Sequence, residues 1–519
     1  MADADTARLC ELIIRSHFGS LTAIVASVLL TRGRLPLSHL IRFSGLKPRT
    51  VRAAILVLVQ HNLLWHAQSD DDGEVLEVNI TECLLRLRFG RYVHQAEQLF
   101  GKAGADIIQL ILDHGKMRPP DLISRLSVYD PVEAPAMYSQ MLRKLIGSSY
   151  LKPSTLLSHF SPRDKRIKYE AEEKAKISGF PTAKELRQAK ETAQARLKRE
   201  EEAPEQTSMD ETYFRINCEK FNIHIRNNLI EHAAVERFNE TTGLVLRAVL
   251  KSTEAKQKQL ADTRSDPTSI ANVAMQLPEE VDLSTGLILQ LSKKPSAAAL
   301  IKDYLGLLAS ADNPTPAGRA ASFVSMNGSK VQVEFDIIAR RLQRRVLEAI
   351  TRERHGDDGV RIVRLLLDTG KMDEKQISKI GMMANKDVRP LLSALSADSL
   401  ISLQEVPKSA DRNPTRTFYL WYVDLQKARS VLLDNLYKTL YNILFRKQAE
   451  EEESNVKAVL EKRQRSDVSQ DEERLLTRIE RETLVDWEKR RDKLTVLEMR
   501  IEEAVFIIHD LGALSNSDE

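Results

Sequence analysis

The sequence predicts a mainly α fold with small β wings: tandem winged-helix domains plus a C-terminal antiparallel coiled-coil hairpin. Three observations carry this. A helix-turn-helix followed by two short strands is legible near the N-terminus, a short motif with the same flanking elements occurs twice, and apolar residues near the C-terminus recur every seven positions.

The first unit, residues 1–95, opens with Leu9, Leu12, Ile13 and Phe18 at helical spacing, and a second apolar stretch ends at Gly33, a helix stop. A short helix over Leu37–Phe43 then meets a turn holding Ser44-Gly45, and a longer helix starts near Pro48. Proline at a first helical position and glycine in the turn suit a helix-turn-helix. Beyond His61-Asn62, Leu63-Leu64-Trp65, the turn Asp70-Asp71-Asp72-Gly73 and the alternating run from Glu74 to Ile80 read as a wing hairpin.

The motif Leu112-Asp113-His114-Gly115-Lys116-Met117 returns as Leu367-Asp368-Thr369-Gly370-Lys371-Met372, each copy after an apolar helix and before a short one. The repeat places a second winged helix at 96–212 and a fourth at 341–424, with a third over 213–340. An insertion at about 161–208, rich in Lys, Arg, Glu and Ala, reads as a solvated helix or mobile linker, because it lacks the apolar surface to fix itself. Residues 425–519 close the chain as the hairpin. Its helices run from Val423 to about Arg463 and from Ser469 to about Asp510, with Ser469 and Glu472 at capping-box spacing. In the last helix Trp487, Leu494, Ile501 and Ile508, with Leu497, Ala504 and Leu511, form a heptad seam interrupted by Arg490.

Composition bounds the function. At 519 residues, with 42% hydrophobic and only 5% aromatic residues, the chain has several cores and leans towards helix. Cys10, Cys83 and Cys218 form no C-x-x-C pair, which argues against a zinc ribbon and a disulfide framework. The most apolar run, Leu21–Leu30, is about half a bilayer span, so no membrane partner is expected. There is no dinucleotide fingerprint, phosphate loop or nucleophile elbow, and the histidines are scattered. We therefore expect no catalytic residue, no cofactor and no metal. Core packing is the expected role of Met382 and Met383, and packing of a wing on the hairpin that of Phe418, Tyr419, Trp421 and Tyr422, with a base-stacking platform the weaker alternative.

The positive signal is local charge. The net charge is only +3, yet from Leu12 to Ser69 there is no Asp or Glu, while Arg15, Arg32, Arg34, Arg42, Lys47, Arg49 and Arg52 fall there. Most surround the turn and the start of the second helix, where a helix-turn-helix meets phosphate. Arg32, Arg34, Arg42, Lys47, Arg49 and Arg52 are the candidate DNA or protein contacts, joined by Lys386 and Arg389 on the equivalent helix of the fourth unit. Nothing resembles a base-reading array, so contact without strong sequence preference is expected. A scaffold whose winged helices bind only proteins is the alternative, and a free-standing dimeric repressor fits less well.

The segment from Ala7 to Leu64, with the insertion-bearing second unit, the repeat and the terminal helices, resembles the third-largest subunit of RNA polymerase III. That family is related to the large subunit of general transcription factor E. The resemblance implies a non-catalytic, nuclear subunit of an initiation heterotrimer. Its implied partners are two smaller subunits, the clamp of the largest subunit, an initiation factor and DNA, including single strands. It also implies that the basic residues from Arg32 to Arg52 lie near DNA or the clamp and support promoter opening.

Overall fold

The computed structural model describes residues 3–69, 73–128, 134–177, 182–202, 211–278, 283, 296–310, 313, 315, 318, 320–408, 417–465, 468 and 475–512. The wing turn at Asp70–Asp72 and the proposed Ser469/Glu472 cap lie outside them. The chain divides into two compact units, residues 1–225 and 226–519.

The first unit begins with helices Ala4–Phe18 and Ser20–Arg32. Leu9, Ile13 and Ile14 of the first, Val25, Ala26 and Leu29 of the second, and Leu40, Val51 and Leu58 beyond them are all nearly sealed from solvent. Leu64–Ser69 and Gly73–Val78 form an antiparallel wing, and Leu35–Pro36 pairs on the far side of Gly73–Val78. Farther along, helices Phe89–His114, Pro119–Leu126 and Ala134–Gly147 are followed by strand Leu151–Pro153. Its partner is Phe214–Ile216, just past the boundary expected at 212, and Met117 bridges to Phe214.

The second unit repeats the plan twice. Thr268–Ser269, Lys330–Val333 and Val324–Asn327 form a sheet with Lys330–Val333 in the centre. Ser402–Pro407 pairs with Thr417–Tyr422, whose Trp421 bridges to Met372. Helix Phe335–Thr369, bent at Gly356, crosses the boundary expected at 340.

The recurrent motif has a structural cause. Gly115 and Gly370 end their helices at φ +82° and +85°, which glycine adopts without steric cost, and hand the chain to the methionine that pairs with the outer wing strand. Gly33, at φ +83°, does the same before Leu35.

Of the two readings of the insertion, solvated helix and mobile linker, the structure shows the helix, with a small core that was not expected, and one expectation about Met382 is corrected. The charged insertion forms helices Pro162–Ala175 and Ala183–Glu202, which share a small core of Tyr169, Ala189 and Ala193. Arg196 joins them, pairing with Glu172 at 2.7 Å and lying over the Tyr169 ring. Met382 is 90% exposed, in the left-handed turn between helices Glu374–Gly381 and Asn385–Ala397, so it does not fill a core. The strand carrying Trp421 lies against helices Phe335–Thr369 and Glu374–Gly381, while Phe418 is half exposed.

At the C-terminal end, the helix expected to reach Arg463 is divided at Glu453 into Leu425–Glu452 and Ser454–Arg463. Helix Arg478–Val505 returns alongside, started by a Thr477/Glu480 capping box. Lys462 to Glu480 (2.8 Å), Arg463 to Glu488 (3.3 Å), Arg490 to Glu450 (2.9 Å) and Lys447 to Glu498 show the antiparallel direction. Of the expected seam, Trp487, Ile508 and Leu511 are buried, whereas Leu497 is 43% exposed.

Candidate nucleic-acid interface

The first helix-turn-helix is fixed by its own sequence. Gly45 closes helix Leu37–Ser44 in a left-handed conformation, and Pro48 starts the second helix, Pro48–Gln60, at a position where its missing N–H costs nothing. Val51, Ala54 and Leu58 bury one face of that helix. The opposite face must then carry Arg49, Arg52, Ala53, Leu56 and Val57, all of them exposed.

The N-terminus of Pro48–Gln60 is prepared for an anion. Lys47 at the cap gives no side-chain hydrogen bond to the first turn, and that turn holds no acidic residue. Its outward N–H groups and the helix dipole favour negative charge, and Lys47 and Arg49 stand beside them. Arg42, Lys47, Arg49 and Arg52 are exposed and have no ion-pair partner among the described residues.

The remaining candidates are differently placed. The Arg32 guanidinium stacks on the Phe43 ring at 3.8 Å, which leaves its charge outward. Arg34 is spent on structure. Its Nε donates to Glu77 of the wing at 2.7 Å, and its two terminal nitrogens donate to both Asp164 oxygens at 3.0 and 2.9 Å. Burial opposes its charge, but Asp164 and Glu77 outweigh burial and hold its pKa above the ordinary arginine value. Glu74 and Glu77 make the described part of the wing acidic, so the cationic face stops at the helix. In the fourth unit Lys386 is exposed without an ion-pair partner among the described residues, and Arg389 pairs with Glu374 at 3.1 Å.

At the end of helix Pro48–Gln60 lies a half-buried joint that the sequence did not disclose. Gln60 Nε2 donates to the carbonyl oxygens of His114 and Lys116, at 3.0 and 2.7 Å. A Cβ at Gly115 would stand 2.4 Å from the Gln60 carbonyl oxygen, so glycine is required there by space as well as by φ. Burial, then the Arg86 charge, pushes both His17 and His61 down to about 4. They are therefore neutral at physiological pH and add nothing to the cationic face.

Among the described residues no group of His, Cys, Asp or Glu could hold a metal ion, and no helix is long and apolar enough to cross a membrane. All three cysteines are buried free thiols.

Three family models match the chain in succession: the RNA polymerase III subunit RPC82 helix-turn-helix domain over residues 8–68, RNA polymerase III subunit RPC82 over 140–313, and the C-terminal winged-helix domain of POLR3C over 347–423. Along nearly its whole length the chain is similar to proteins named as subunits of RNA polymerase III. The DNA-directed RNA polymerase III subunit RPC3 of Bos taurus is 26% identical, covering 96% of this chain and 97% of its own. That of Danio rerio is 25% identical over 97% and 98%, and that of Aspergillus niger 24% identical over 98% and 100%. The first matched segment spans the cationic face, and the third spans the Met372–Trp421 bridge.

Proposed function

We propose that the chain is a non-catalytic subunit of nuclear RNA polymerase III, and that its first helix-turn-helix holds promoter DNA through phosphates during initiation. The observation that carries the DNA part is the set of Arg42, Lys47, Arg49 and Arg52. These are four exposed cations with no ion-pair partner among the described residues, beside an uncapped helix N-terminus. Phosphate contact needs only cations and N–H groups, so it does not depend on sequence. Retention of melted strands near this face would oppose reannealing and so favour opening. Lys386 would add a second contact, while Arg34 and Arg389 serve ion pairs. The polymerase clamp, two smaller subunits and an initiation factor are the proposed protein partners, the general transcription factor relation is part of the same reading, and the terminal helices would brace the winged helices as a coiled-coil hairpin. The domain limits proposed are those given above, with the second unit extended to Ile216.

A second reading has its own support. Leu56 is 70% exposed and Val57 39%, on the same face as Arg49 and Arg52. An apolar strip edged by cations suits an acidic protein surface, which would make this unit an assembly contact only. One experiment separates the readings: affinity purification of the tagged chain from nuclear extract, then crosslinking of the reconstituted complex to promoter DNA. Recovery of the large polymerase subunits with crosslinks at residues 42–52 supports the proposal. Recovery with no DNA crosslink there leaves the scaffold, and failure to recover the polymerase removes both.

A further inference from the structure

The second unit contains a pocket that this reading does not use. A cavity of about 310 Å³ opens between the end of helix Cys218–Arg237 and the start of Phe335–Thr369. Phe323, Ile338 and Leu342, all buried, form its apolar floor. Its charged rim is Arg237, Arg341, Arg345 and one carboxylate, Glu236.

The rim has more positive charge than it balances. Arg345 pairs with Glu236 and is also drawn by Glu503. Arg237 and Arg341 have no carboxylate partner among the described residues. Each instead donates to one neutral acceptor, the Ala321 carbonyl oxygen, at 3.0 and 2.9 Å. Arg341 also lies over the Phe323 ring at 4.5 Å. Two guanidiniums gathered on one carbonyl repel each other. Burial, then the charge of Arg237, pushes Arg341 down to about 10. An anion placed between them would relieve that repulsion, and both forks are already held in place, which lowers the ordering cost of binding.

We propose that this pocket receives an acidic peptide segment of a partner protein, with an apolar side chain seated against Ala233 and Leu342 and a neighbouring carboxylate taken by Arg237 and Arg341. Planar guanidiniums match a carboxylate in two parallel hydrogen bonds. The apolar floor favours a peptide, because one short side chain fits beside the arginines in a cavity of about 310 Å³, and a nucleic acid is an outcome that the test separates. The proposal is independent of how the first helix-turn-helix is used.

The test is fluorescence anisotropy with the full chain and a labelled peptide of glutamates flanking a single leucine. The double variant Arg237→Gln/Arg341→Gln is expected to weaken binding about tenfold or more. Exchanging the peptide leucine for serine should weaken it severalfold. Glu236→Gln removes the rim carboxylate and is expected to tighten binding by about threefold to fivefold. A tightened complex cannot come from a damaged fold, so this variant keeps the test sharp if the double variant is unstable. Binding unmoved by the arginine changes, or not tightened by Glu236→Gln, overturns the proposal. So does an oligodeoxythymidine that displaces the peptide as well as unlabelled peptide does, since that would make the pocket a phosphate site.

Discussion

Replacing Arg49 and Arg52 with glutamine should change the salt dependence of DNA binding more diagnostically than its affinity at any one salt concentration. Each phosphate contact releases about 0.7 to 0.9 of a counterion, so four cations at Arg42, Lys47, Arg49 and Arg52 give a slope of log affinity against log salt of roughly −3. Removing two leaves roughly −1.5. Raising salt from about 50 to about 200 mM then weakens the parent chain roughly a hundredfold and the variant only roughly tenfold. Both side chains are exposed and make no intramolecular ion pair among the described residues, so the fold should tolerate the change. Anisotropy of labelled duplex and single strand, titrated at several salt concentrations, reads the slope directly. Arg34→Gln is the control: its charge is already met by Glu77 and Asp164, so the slope should barely move. Equal slopes for the parent chain and the double variant would refute the phosphate reading. A large effect of Arg34→Gln would refute the division between free and neutralised cations.

Further outcomes follow from the packing. Gly115→Ala should destabilise the first unit by at least about 1–2 kcal/mol from backbone strain, with more from the approach to the Gln60 carbonyl; Gly370→Ala meets nothing within 4 Å and should cost only the backbone part. Urea unfolding that ranks the two in the opposite order would contradict this. His17 and His61 are held near 4 when folded and titrate near the ordinary 6.5 when unfolded, so below that value protons bind the unfolded chain first. Their contribution is complete above pH 6.5 and is lost as pH falls towards 4; the urea midpoint should drop between pH 7 and pH 5, and His17→Gln/His61→Gln should flatten that drop. Glu450 is 7% exposed and paired with Arg446 and Arg490, which are themselves at least half exposed, so Arg446→Ala/Arg490→Ala removes both partners but lets water reach the carboxylate and should cost about 1–2 kcal/mol. A melting temperature unchanged from the parent would rule that out.

Several features were legible because they depend on near neighbours. Gly45 and Pro48 specify the turn and the helix start, the alternation from Glu74 to Ile80 specifies a wing strand, and the repeated Gly-Lys-Met marks a helix end followed by a pairing residue. The acid-free segment from Leu12 to Ser69 identified the cationic face, since a charge shows in the sequence wherever it ends up. By itself, then, the sequence determined the helical class, the winged-helix periodicity and the position of the basic helix-turn-helix.

Tertiary structure decided which of those charges remain available. Arg34 and Arg49 look alike in the sequence, but Asp164, 130 positions from Arg34, neutralises one and among the described residues no carboxylate meets the other. The insertion looked unable to fix itself, yet Tyr169, Ala189 and Ala193 meet once two charged helices lie side by side. Leu56 gave no sign that it would face solvent beside Arg52, because helical spacing alone does not say which of two apolar stripes is covered. The pocket of Arg237, Arg341 and Arg345 is assembled from two helices far apart in the chain, and its unbalanced charge exists only at their junction. Local propensity acts over a few residues, whereas burial and charge pairing act across whatever the fold brings within a few ångströms.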